Sequence, residues 1–176
     1  MSITFRRALS TAAAVAAAAC LTAGATTTAS AATVHKPAAP SHCRAANVAF
    51  GYGPDSGSQV VGAQGFLHIK LTNTGSATCV MRGYPGVDLK SGNQTWSLLR
   101  SKAALKTVTL KHGQSTTFDI AYLPWVKGSG TAFKVTSMLV TLPNDTTSHR
   151  MAWDWQPVLY QGGATYPGTW VGPVGR

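Results

Sequence analysis

Residues 73–87 read NTGSATCVMRGYPGV, and the fold turns on whether they form an active-site loop or the corner of a β-domain. The stretch holds a cysteine and a glycine–proline turn, but no Asp or Glu. Asn73-Thr74-Gly75-Ser76 reads as the end of a strand, because Asn tolerates left-handed geometry and Gly supplies positive φ, so the chain can reverse there. Cys79 then falls near the start of the next strand. Gly83-Tyr84-Pro85-Gly86 reads as a second turn, with Pro85 presetting φ and Gly86 free for the positive φ of a type II turn. Tyr84 fits a packed corner aromatic better than a catalytic phenol. The stretch is a corner.

The flanking sequence carries the same texture. In GFLHIKLTN, Phe66, His68 and Lys70 alternate with Leu67, Ile69 and Leu71, a period of two that marks a half-buried strand. AANVAFGY, TCVMRGYPG, VDLKSGN, TWSLLR, TVTLKHGQS, TTFDIAYL, VTSMLVTLP and MAWDW supply further strand candidates, with Ser-Gly-Asn and His112-Gly113-Gln114 as breaks. No window sustains a helical stripe. The expectation is an all-β, antiparallel immunoglobulin-like β-sandwich of about seven to nine strands, with turns spaced by roughly 8–12 residues. It spans residues 43–156. Residues 157–176, rich in Gly and aromatics without alternation, read as a C-terminal loop or tail.

The first residues speak to location. Arg6 and Arg7 form a basic start, residues 8–25 are uncharged and Ala-rich, and Ala29-Ser30-Ala31 offers the small-x-small pattern accepted by signal peptidase. Residues 1–31 therefore read as a signal peptide and residues 32–42 as a flexible Ala/Pro-rich leader. The processed protein is expected outside the cell or associated with its wall, without a membrane span, because Ala, Thr and Gly give little transfer free energy into a bilayer. Cys20 follows Ala17-Ala18-Ala19, a poor match to a lipoprotein site, and lipidation is the minor reading. Cleavage after Ala31 leaves 13 Lys and Arg against five Asp, a net charge of +8, with no Glu. It also leaves two cysteines, Cys43 and Cys79. In an oxidising compartment an even pair reads as a disulfide, whose loop closure contributes roughly 4 kcal/mol. The rival, a metal thiolate site, favours clustered ligands.

Leu71, Asn73 to Ser76, Thr78-Cys79, Arg82 to Val87, Val108, Leu110 and Gly113 to Ser115, with Cys43 upstream, form a pattern that resembles the actinobacterial exported family called domain of unknown function 4232. The resemblance runs roughly from Cys43 to Pro143. It implies an exported, sandwich-like domain and transfers no catalytic residues. Members often carry a second cysteine pair, and its lack here leaves the 123–135 region to be held by packing alone.

Catalysis finds little support in the residues. Glycoside cleavage needs two carboxylates, and Asp55 and Asp145 read as turn formers while Asp88, Asp119 and Asp154 read as the solvent face of strands. No G-x-S-x-G elbow, H-E-x-x-H or phosphate-loop motif occurs. The histidines lack ligand spacing and read as surface or turn residues. No catalytic residue, metal or cofactor is expected.

Binding has two handles. Lys90, Arg100, Lys102, Lys106 and Lys111 concentrate positive charge that attracts anionic wall polymers. Trp153, Trp155, Tyr160, Tyr166 and Trp170 crowd the last residues, where flat rings can stack on sugars, although Trp153 and Trp155 fit a core equally well. The candidate contacts are Trp170, Tyr166, Tyr160, Lys102, Lys106 and Lys111. The expectation is a non-catalytic exported protein that binds a cell-wall polymer or glycan. The alternative is a secreted accessory or inhibitor-like domain with a protein partner. Nucleic acid is not expected as a partner outside the cell.

Overall fold

The alternation in GFLHIKLTN becomes the longest strand of the computed structural model, β3 (Gly65–Asn73), in which Leu67, Ile69 and Leu71 are fully buried. The structure describes residues 38–57, 63–165 and 167–176. The expected signal peptide and Tyr166 lie outside the described residues.

In register, β3 pairs with β2 (Val48–Tyr52) on one side and β9 (Ser115–Tyr122) on the other, both antiparallel. Two short strands, β14 (Trp170–Val171) and β7 (Leu99–Arg100), continue this sheet in the order β2-β3-β9-β14-β7. A four-stranded sheet runs β12 (Ser148–Ala152), β11 (Ser137–Thr141), β5 (Gly86–Ser91), β6 (Gln94–Ser97). Leu67, Ile69, Phe118 and Ile120 of the first sheet share one core with Val87, Leu89, Met138 and Val140 of the second. Each such side chain, fully buried, contributes about 1.5–3 kcal/mol.

Two smaller sheets complete the fold. β1 (Ser41–His42), β4 (Cys79–Arg82) and β8 (Thr107–Leu110) form one, while β10 (Ala132–Phe133) pairs with β13 (Val158–Leu159). The chain is all-β, with mostly antiparallel pairing and fourteen strands among the described residues. The excess over seven to nine comes from β1, β7, β10, β13 and β14, each two residues long and so too short to leave an alternation in the sequence. Two of these lie in residues 157–176, so the segment expected as a loop or tail joins two sheets. A third, β1, lies at the end of the expected leader and pairs in parallel with β4.

The opening stretch is a corner, built differently from the expectation. Neither Asn73 nor Gly75 has positive φ. Instead the buried Asn73 side chain makes the reversal: its Oδ1 accepts from the Gly75 N–H at 3.0 Å, and its Nδ2 donates to the carbonyls of Ala77 and Leu110 at 2.9 Å each. Gly75 suits a tight approach, since a Cβ there would crowd Asn47 Cβ at 3.1 Å. In the second turn the positive φ, 129°, falls on Gly83, and Gly86 already belongs to β5, opposite Thr141. Cys43 and Cys79 are bonded, with Cα atoms 4.9 Å apart.

Two other expectations change. MAWDW is a strand only to Ala152; beyond it Trp153 turns inward against Tyr122 and Trp155, both edge-on. The region 123–135 is tied by hydrogen bonds as well as packing. Trp125 N–H donates to Pro157 O at 2.8 Å, Trp125 Nε1 to Gly130 O at 2.7 Å, and Tyr160 N–H to Thr131 O at 2.9 Å.

Candidate functional site

The register of the five-stranded sheet sets a row of side chains across its outer face. Trp170 on β14 stands opposite Leu99 of β7 and Ala121 of β9, and Ala121 stands opposite Phe66 of β3. Paired residues project to the same side of a sheet, so Leu99, Trp170 and Phe66 share this face. Phe66 and Trp170 meet edge to face with ring centroids 6.3 Å apart, closing over Ala121, which is fully buried. Leu99 remains 50% exposed.

At the β7–β14 edge this row opens into a hollow of about 300 Å³, lined by Leu99, Arg100, Ser101, Lys102, Thr165, Pro167 and Trp170. The loop that carries its cations is fixed at two points. Ser101 N–H donates to Val171 O at 2.9 Å, and Tyr84 Oη donates to Ala103 O at 2.6 Å. Tyr84 of the corner motif thus helps to position the loop that follows Arg100.

The next row holds a charge cluster that the sequence reading missed. His68 of β3 and Asp119 of β9 are register partners, and His68 Nδ1 lies 2.7 Å from Asp119 Oδ1. The Arg176 guanidinium forms an ion pair with the other carboxylate oxygen. Asp119, expected on a solvent-facing surface, is 2% exposed because His68 and the 172–176 segment cover it; Gly172 N–H donates to Asp119 O at 2.8 Å. His68, expected as a surface or turn residue, is half-buried within a strand. A buried carboxylate demands such partners, since an unpaired one would have to be stripped of water. Periodicity alone could not reveal the cluster, because its three members lie 51 and 57 positions apart and meet only through the register.

Two other carboxylates tie neighbouring segments together. Asp88 accepts from Ser97 Oγ at 2.5 Å. Asp145 is more than a turn former: it accepts from Ala45, Thr146 and Thr147 N–H groups and lies 3.7 Å from Arg44, linking the Ala45–Asn47 turn to the loop after β11. These amides, Ala45 first, hold its carboxyl below the usual range against the opposing effect of burial. Burial, with Asp154 adding to it, pushes the Tyr52 phenol up to about 12, and its hydroxyl donates to Ala152 O. Among the described residues no three His, Cys, Asp or Glu side chains group as metal ligands, and no helix is long and apolar enough to cross a membrane.

Of the sequence candidates, Trp170 and Lys102 meet in one hollow. Tyr160 lines a separate hollow beside β6 and β10. Lys106 and Lys111 are exposed at the two ends of β8 and line neither hollow. Tyr166 lies outside the described residues.

An all-β chain with this cysteine pair and these corner residues belongs to a recognisable family. The model of Domain of unknown function (DUF4232) matches residues 43–172, and the protein is a member of that family. The match extends past Pro143, where the sequence resemblance ended, and takes in β13 and β14. No curated protein and no solved structure matches the chain.

Proposed function

We propose that this chain is a non-catalytic binding protein that is exported and attaches to an anionic polymer or glycan of the bacterial cell envelope through the hollow at Trp170. The two sheets that share a core are read as an immunoglobulin-like sandwich, a scaffold that leaves its outer face for contacts. The observation that carries the proposal is the meeting of the Trp170 indole with Arg100 and Lys102 in one hollow. An aromatic face takes the apolar side of a sugar ring, at about 0.5–1.5 kcal/mol per stacked pair. Two cations beside it take phosphate or carboxylate groups on the same chain, and guanidinium is well shaped for both. The net charge of +8 after removal of residues 1–31 raises the local concentration of such a polymer over the screening length of about 8 Å at physiological ionic strength.

The test is co-sedimentation with insoluble bacterial wall material over a salt series, with heparin and inorganic polyphosphate as soluble competitors. Trp170→Ala is expected to weaken binding several-fold at every salt concentration, and Arg100→Ala with Lys102→Ala to flatten the salt dependence. Heparin, which has sugar rings, is expected to compete better than polyphosphate, which has none. Absence of wall binding at low salt overturns the proposal and puts a secreted protein partner ahead.

A further inference from the structure

A second aromatic hollow lies at the edge of the four-stranded sheet. Trp96 on β6 and Phe133 on β10 are 6% and 5% exposed, yet Tyr160, which rests on both, is 46% exposed. Phe133 and Tyr160 are stacked with centroids 5.6 Å apart and planes 19° from parallel. Trp96 meets both edge-on, at 5.8 and 5.2 Å. The phenol is therefore a protruding ring on a rigid aromatic floor.

The hollow in front of it measures about 340 Å³ and is lined by Gln94, Thr95, Thr131, Ala132, Phe133 and Tyr160. That is the small end of the range for ligand sites, about 300–1,000 Å³. Its polar side chains are an amide and two threonine hydroxyls, with no charged group among the lining residues. Just outside the lining, Lys90 donates to Thr95 Oγ1. The walls are fixed in place. Trp125 Nε1 clamps Gly130 next to Thr131, and the Tyr160 N–H holds the Thr131 carbonyl. At Gly162 an added Cβ would meet the Tyr160 hydroxyl at 2.3 Å, so a side chain there would displace the phenol.

An exposed ring with one apolar wall, surrounded by neutral donors and acceptors, selects a ligand with an apolar face and a hydroxylated rim. We infer that this hollow is a binding site for a neutral pyranose sugar, stacked on Tyr160 and hydrogen-bonded by Gln94, Thr95 and Thr131. A charged sugar acid would find no partner in the lining. A hydrocarbon would leave the amide and hydroxyls unsatisfied. Pre-organisation of the walls reduces the ordering cost that weakens binding of small ligands. The site lies on a different sheet from the Trp170 hollow and does not depend on it.

The inference is tested by titrating the full chain with glucose and N-acetylglucosamine, each as monomer and as β-1,4-linked trimer, while following amide and indole N–H resonances. The expected result is saturable shifts confined to the Trp96 indole, the Gln94 side-chain amide and the backbone around Thr95, Thr131 and Tyr160. Tyr160→Ala is expected to weaken binding about three- to tenfold, and Tyr160→Phe to leave it within about twofold. Gln94→Ala, an exposed change that leaves the aromatic floor intact, is expected to weaken it about fivefold, the loss of one net hydrogen bond. Trp170→Ala and added salt are expected to leave it unchanged, which separates this site from the envelope contact. Overturning results are no shift with any of the four sugars at tens of millimolar, shifts centred on Trp170, or parental affinity in both Gln94→Ala and Tyr160→Ala.

Discussion

Replacing Asn73 tests whether the corner is held by a turn or by buried donors. Asn73 is 1% exposed. Its side chain satisfies three main-chain groups: the Gly75 N–H at 3.0 Å and the carbonyls of Ala77 and Leu110 at 2.9 Å. Asn73→Ala strips all three. At about 1 kcal/mol net for each bond, the expected cost is roughly 3 kcal/mol, or on the order of 10 °C in the unfolding midpoint. Asn73→Asp is the sharper variant. It keeps the acceptor that closes the turn, but aims a second acceptor at two carbonyl oxygens where donors stood. At neutral pH the buried carboxylate is expected to cost at least as much as alanine, and part of the loss is expected to return as the pH falls and a protonated carboxyl donates again. Urea unfolding followed by tryptophan fluorescence, with the disulfide intact, ranks the three proteins. If Asn73→Asp remains within about 1 kcal/mol of the parent at neutral pH, the two donated bonds contribute nothing and the reasoning fails.

Three further outcomes are expected. Because the Asp145 carboxyl is held below its usual range in the folded protein, its contribution is present above the ordinary value of 3.8 and is lost as pH falls through the lower folded value; the stability gap between the parent and Asp145→Asn, measured by urea unfolding at pH 6 and pH 3, should shrink at the lower pH. Unreduced, denatured protein lacking residues 1–31 should show no free thiol. Cys43→Ala with Cys79→Ala, whose positions are 36 apart, should lose roughly 4 kcal/mol by the loop-closure estimate.

The sequence made the central strands legible because one face of each is buried. Leu67, Ile69 and Leu71 alternate with residues nearer solvent in the order the letters suggest. The Cys43–Cys79 bond was legible because the cleavage expected after Ala31 leaves an even pair of cysteines. What could not be read depends on partners far along the chain. Asp119 alternates with apolar neighbours as a surface residue does, yet His68 and Arg176 cover it. Trp170 showed no strand pattern because β14 is only two residues long, and its place is set by Leu99 and Ala121. Lys102 and Trp170 were both visible as candidates. Their meeting was not, since it depends on the Tyr84 and Ser101 hydrogen bonds that hold the intervening loop.

The insertion of β14 between β9 and β7 imposes an order on events during folding. A chain supplied from its N-terminal end can zip β2 onto β3, and β3 onto β9, as soon as residue 122 is available. β7 must then wait with unpaired backbone groups, because its parallel neighbour lies 71 positions further along, at Trp170 opposite Leu99. Contacts so distant in sequence are slow to form. The Trp170 hollow is therefore among the last surfaces to appear, and a chain interrupted before residue 170 has the central strands but no such hollow.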